Sequence, residues 1–275
     1  MFNMIRRIYA KGLSKARLLK LGLSYDYNEI LGTQNKLYSE LGFDRNASLL
    51  LLEGIYKTHP KVQVLVSEHH TLFGALSLKG TVKSVLEIGT YAASCTKLLS
   101  ILFPAAQIST IDLPDNDPIF SQTYGRGDSE ARARFIDDRN QLIQTCQNVT
   151  FVQQNSLQLL YKKDKKFDLI WVDGAHGYPV VAMDIVNSLA CLSKEGVMFI
   201  DDVWVSRSRN DPNYRSIGAY ESILALKNAG LIEFDLVPKR IEFPHGEGHL
   251  KKYIARVIHS DVAKAQVKST VSVSG

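Results

Sequence analysis

From residue 81 onward the chain alternates short apolar runs with helical stretches, and this texture constrains the fold more than any other feature. The runs are "KSVLEIG", "AQISTIDL", "VTFVQQN", "FDLIWVDG" and "GVMFIDDV". Near-continuous apolar strands separated by helix-length connections describe a parallel sheet covered on both faces, a doubly wound α/β arrangement. Helices are expected to begin near Ala93, Ser129, Tyr178 and Ile217. Two later runs, "EFDLVPKRIEF" and "KKYIARVIH", flank a Gly/His turn and read as an antiparallel pair at one sheet edge. Residues 24 to 80 show helical periodicity broken by Gly, Pro and Asn. The expected organisation is therefore an N-terminal helical cap over 1–80, a sheet domain over 81–260 and a flexible tail over 261–275.

Composition narrows the class. At 275 residues and 45% apolar the chain can bury one large core. No stretch approaches the roughly 20 apolar residues of a membrane span, and the N-terminus lacks a secretory apolar core, so a soluble cytoplasmic protein is expected. Cys95, Cys146 and Cys191 stand singly, without metal-ligand or disulfide spacing. The net charge of +5 is concentrated at one end: residues 1–20 hold six basic side chains and no acid, which leaves the rest at −1. That body gives no footprint for nucleic acid. Residues 1–23 instead form a basic amphipathic pattern suited to docking on the protein itself, on a second subunit in a homo-oligomer, or on an anionic membrane surface.

In an open parallel sheet, ligands bind beyond the carboxyl ends of the strands. Here each run stops at polar or acidic residues: Glu87 and Gly89, Asp112, Asn155 and Ser156, Asp173, then Asp201 and Asp202. A nicotinamide-dependent oxidoreductase would need G-x-G-x-x-G after the first strand, whereas this turn reads Gly89-Thr90-Tyr91-Ala92-Ala93 with Glu87 beside it. A carboxylate there repels a pyrophosphate and attracts a cation. The Tyr161/Lys165 spacing of a short-chain reductase falls in a charged loop and reads as coincidence.

The segments "LEIGTYAAS", "IDLP", "WVDGAHGYP" and "FIDDV" resemble class I S-adenosylmethionine-dependent methyltransferases, and among them the metal-dependent O-methyltransferases of the catechol and macrolide-sugar types. The resemblance covers roughly residues 81–205. It implies a Rossmann-like, mostly parallel seven-stranded sheet with an antiparallel edge hairpin. It further implies that the turn holding Glu87, Gly89, Thr90 and Tyr91, followed by Ser94, binds the methionine part of S-adenosyl-L-methionine. Asp112 would take the ribose hydroxyls, Asn155 and Ser156 would lie near the adenine, and Asp173 would border the cofactor. Ala93 stands where the family has glycine, a mild change if its backbone is ordinary, and Asn155 stands where aspartate is common.

Asp173, Asp201 and Asp202 would repel one another unless protonated, paired with cations or bound to a metal. The resemblance favours Mg2+ or another divalent ion, which would hold a vicinal diol and acidify one hydroxyl. His176 lies three residues after Asp173, where the sugar-modifying relatives carry a histidine, and is the candidate general base; its alternative is a turn residue. Tyr124, Arg126, Arg207, Arg209 and Tyr214 in two long loops are candidates for a substrate wall, and His245 and His249 read as solvated turn residues. The expected activity is O-methylation of a small molecule or saccharide. An RNA-directed methyltransferase using the basic N-terminus, an oxidoreductase and a non-enzymatic scaffold are the competing readings.

Overall fold

The computed structural model describes residues 27–62, 68–123, 126–162, 164–205, 216–239 and 252–263. The basic segment 1–23, Tyr124, Arg207, Arg209, Tyr214, His245 and His249 lie outside them. Three helices come first: α1 (Tyr27–Glu40), α2 (Arg45–Thr58) and α3 (Glu68–Ser77). The sheet region then runs β1 (Ser84–Ile88), α4 (Ser94–Leu102), β2 (Gln107–Asp112), α5 (Pro118–Gln122), α6 (Ser129–Gln144) and β3 (Val149–Gln153). A 3₁₀ segment (Ser156–Lys162), β4 (Phe167–Val172), α7 (Val180–Cys191), β5 (Leu192–Trp204), α8 (Gly218–Asn228), β6 (Ile232–Pro238) and β7 (Lys252–His259) complete it. Asp44, Asp117 and Asp128 start their helices by accepting a backbone N–H from Ala47, Ile119 and Ala131.

The seven strands lie in the order β3-β2-β1-β4-β5-β7-β6. Neighbours among β1 to β5 are parallel, and β7 runs antiparallel between β5 and β6. This is the Rossmann-like sheet with the expected edge hairpin; the five expected parallel strands and four expected helix starts are present within one or two residues, except that β5 begins four residues earlier, at Leu192.

Because the strands are buried on both faces, successive side chains feed two cores. Leu169, Trp171 and Phe199 join Leu72, Phe73 and Leu99 on one face, while Ile170, Val172, Met198 and Ile200 join Val181, Ile185 and Ile223 on the other. Helices α1 to α3 share the first of these cores: Tyr38 and Leu52 belong to it, and Phe73 meets Trp171 edge-on with ring centres 5.1 Å apart. A buried ion pair locks these helices together, with Arg45 Nε donating to Glu68 Oε1 at 2.8 Å and Nη2 donating to Gln34 Oε1 at 3.1 Å. Among the described residues no helix is long and apolar enough to cross a membrane.

Register sets the site. Ile88 pairs with Ile111 on one side and Val172 on the other, and Val172 pairs with Ile200. Gly89, Asp112, Asp173 and Asp201 therefore emerge at one level along the same sheet edge.

Candidate active site

The first strand end is built around a close approach. Gly89 donates its N–H to the Ile111 carbonyl at 2.9 Å, and the Asp173 N–H donates to the Ile88 carbonyl at 2.9 Å. Gly89 has φ +100, and a Cβ at this position would lie 2.2 Å from the Asp173 carbonyl oxygen. Only glycine satisfies both the backbone angle and the space. Past it, Tyr91 (φ 46) and Ala93 (φ 60) are left-handed, as is Asp202 (φ 54) at the end of β5. These are the non-glycine positive-φ residues among those described, and all three sit at the strand tips, where strain usually marks function. Ala93 is thus not in the ordinary backbone region expected of it; relative to glycine the conformation costs about 1 kcal/mol.

Glu87 is fully buried. Thr96 and Thr110 both donate hydroxyls to its Oε2, and Thr90 shares a 2.6 Å hydrogen bond with Thr110. Its Oε1 receives no N–H or O–H donor. Burial pushes the carboxyl up to about 7, with hydrogen bonds from Thr110, Thr96 and the Cys95 thiol opposing the shift. Asp112 receives one backbone N–H on each oxygen, from Tyr91 at 2.8 Å and from Leu113 at 2.8 Å. A second lone pair on each oxygen remains for a diol. Burial raises this carboxyl too, against those two donors. Ser94 opens α4 just behind the turn. Asn155 uses its amide oxygen to receive the Leu157 N–H at 3.0 Å, so it caps the 3₁₀ segment that Ser156 begins.

At the other end of the site, His176 Nε2 lies 3.6 Å from Asp173 Oδ1 and 3.9 Å from Asp202 Oδ2. Sequence reasoning missed the lysines beside them. Lys239, at the end of β6, donates to Asp201 Oδ1 at 2.7 Å, Asp201 Oδ2 at 2.8 Å and Asp202 Oδ1 at 2.6 Å. Lys252, the first residue of β7, pairs with Asp202 Oδ2. Burial works against the ionisation of Asp202, but the two lysine charges outweigh it and hold the carboxyl well below its ordinary range. Among the described residues no lysine or arginine pairs with Asp173; burial and the nearby Asp201 charge push its carboxyl well above the usual range, although its side chain keeps 31% exposure.

This corrects the expected metal triad. The three acids do reach adjacent strand ends, but an ammonium group stands between two of them. The hard oxygen donors that a divalent ion would need are already spent on lysine, so these residues do not fit a preformed metal site. Among the described residues no group of three or more His, Cys, Asp or Glu side chains is placed to hold a metal ion.

Two further residues depart from expectation. Arg126 is not part of an open wall: it is 7% exposed, its guanidinium lies 4.0 Å from the Phe120 ring centre, and its Nε donates to the Phe120 carbonyl at 2.8 Å. It also lies 5.9 Å from the ring centre of the half-exposed Tyr91, next to the Gly89–Ala93 turn. His69 of α3, read only as part of a helical cap, stacks on Trp171 with ring centres 5.0 Å apart. Burial, then the charges of His70 and Lys239, lower its pKa well below the ordinary imidazole value and favour the neutral ring. The doublet "HH" was the only available signal for it. Lys165 donates to Ser109 at 3.0 Å, away from the strand tips, consistent with the coincidental reading of the Tyr161/Lys165 pair.

A Rossmann-like sheet whose strand tips carry a glycine turn, a buried acid and an aspartate with unused lone pairs is an arrangement suited to a nucleoside cofactor. Residues 86–203 match the family described as a methyltransferase domain, a span that includes Glu87, Asp112, Asp173, His176 and both Asp201 and Asp202. Over that span the chain is similar to the methyltransferase-domain family. No curated protein matches it. Among solved structures it is similar to a Podospora anserina methyltransferase bound to S-adenosylhomocysteine, with 15% identity, 86% of this chain and 98% of that one covered, and a TM-score of 0.50. It is also similar to the O-methyltransferase TomG of Streptomyces achromogenes (14% identity, 86% and 100% covered, TM-score 0.47). A third is the N-methyltransferase NodS of Bradyrhizobium japonicum (22% identity, 70% and 94% covered, TM-score 0.47). At these identities the likeness concerns the fold.

Proposed function

We propose that the protein is an O-methyltransferase that moves the methyl group of S-adenosylmethionine to a hydroxyl of a polar small molecule or saccharide, with His176 as general base. The observation that carries this reading is His176 held between Asp173 and Asp202 one strand away from the Glu87–Gly89–Asp112 cradle.

The cradle fits the cofactor. Oε1 of Glu87, which receives no N–H or O–H donor, suits the cationic amino group of the methionine part, and Asp112 has lone pairs for the ribose diol. When bound, the sulfonium supplies an already activated methyl group. The chain's task is then to align the acceptor and remove its proton. With Nε2 turned to the carboxylates of Asp173 and Asp202, Nδ1 of His176 is the nitrogen that accepts the hydroxyl proton. No step is assigned to a divalent ion, because Lys239 and Lys252 already neutralise Asp201 and Asp202.

Glu87 gives this reading a pH signature. Its folded pKa of about 7 lies above the ordinary 4.5, so below pH 7 the group is mainly protonated. A cationic ligand selects the ionised form. The affinity for S-adenosylhomocysteine is therefore expected to rise as pH increases from 5.5 to 7, by up to about tenfold per unit, and then level off. Calorimetric titrations across that range check it, and Glu87→Gln should flatten the dependence. The acceptor class is tested by incubating the protein and methyl-labelled cofactor with panels of polyhydroxy compounds, amines and RNA. Label in the hydroxyl panel supports the reading; label confined to amines or RNA replaces it.

A further inference from the structure

We infer that Lys239 is the resident cation of this site, standing where a divalent ion would otherwise bridge Asp201 and Asp202, so that methyl transfer here proceeds without a metal and without a chelating acceptor. The inference about transfer rests on the proposed methyltransferase reading; the occupation of the carboxylates does not.

Two consecutive residues of a regular strand point to opposite faces, so one lysine could not ordinarily reach both. The pairing of β5 with β7 shifts between Ile200 and Val203, and Asp202 has φ 54 within that irregularity. This bulge turns both carboxylates toward the same ammonium. The base of the β6–β7 hairpin fixes the other side. Pro238 pairs with Tyr253, and the Lys239 N–H donates to the Lys252 carbonyl at 3.0 Å. Both lysines thus enter from a closed ladder.

The charges balance, two ammonium groups against two carboxylates, in surroundings where the Lys239 side chain is 10% exposed and that of Asp201 8%. Buried charge of this kind persists only when paired. Lys239 makes three N–H···O contacts, the full donor capacity of an ammonium group. It has no open position for substrate oxygens. A metal would select a vicinal diol by holding two oxygens at once, whereas this arrangement leaves recognition to hydrogen bonding and shape, and a single hydroxyl suffices. Lys239 is a positioning residue: through Asp202 it fixes the charge that faces His176.

The test is titration of the protein with Mn2+ alone, followed by electron paramagnetic resonance of the free ion. The wild type is expected to bind no Mn2+ up to about 1 mM, and Lys239→Met, which uncovers the carboxylate pair, should bind it at least about tenfold more tightly. Wild-type binding in the micromolar range that disappears in Asp201→Asn overturns the inference, as does a folded Lys239→Met that gains no affinity. Should Lys239→Met fail to fold, the wild-type titration decides alone. S-adenosylhomocysteine is titrated into the same preparations. Absence of that binding defeats the methyltransferase reading and is distinct from any outcome with Mn2+.

Discussion

Replacing His176 with glutamine is expected to slow methyl transfer by about 10²–10⁴-fold while leaving S-adenosylhomocysteine affinity unchanged. Glutamine retains a donor that can face Asp173 and Asp202, so the polar contacts near 3.6 and 3.9 Å have a substitute. It cannot accept a proton at neutral pH. The loss should therefore fall on kcat. Asp202→Asn should lower kcat in the same direction by removing the charge that orients the imidazole, without touching the cradle at Asp112. If His176 were only a turn residue, its substitution would lower stability and leave kcat in place. An unchanged rate in His176→Gln returns that residue to the turn.

Gly89→Ala is expected to have an effect of similar size on the fold. The added Cβ would sit 2.2 Å from the Asp173 carbonyl oxygen and 2.7 Å from its carbon, contacts that no rotamer relieves. The residue would also be held at φ +100. Together these should cost about 3 kcal/mol or more and, in a chain of this size, lower the melting temperature by roughly 10 °C. Relief of the overlap must part the β1 and β4 tips, which carry the cradle and the His176 turn respectively, so cofactor affinity should fall with stability. Thermal melts with and without S-adenosylhomocysteine read both. A variant that melts with the wild type and binds normally would contradict the close approach of the two turns.

The sequence made the parallel strands legible because each is a short apolar run with an abrupt polar stop, and burial on both faces leaves no other arrangement for such runs. The level of Gly89, Asp112, Asp173 and Asp201 along one edge followed from that pattern. The partners of the acids did not. Lys239 lies 38 residues from Asp201 and at the end of a different strand, and hydropathy does not say which cation meets which carboxylate. The bulge that turns Asp201 and Asp202 together has no signature in "FIDDV". Three acids were therefore read as a metal triad when two of them are neutralised by lysine. Arg126 was misread for a related reason: an arginine in a polar loop looks solvent-facing until Phe120 and Phe135 are found around it. Ala93 would be a mild change only with an ordinary backbone, and its position in the turn demands a left-handed one that residue identity alone does not reveal.

Calorimetric titration of S-adenosylhomocysteine into the wild-type protein tests the central claim most directly. One site per chain is expected, weakened by about 10–100-fold in Asp112→Ala, which deletes the carboxylate proposed to meet the ribose diol. No heat of binding with ligand at about 1 mM would contradict it, because the Glu87–Gly89–Asp112 cradle would then have no cofactor to hold.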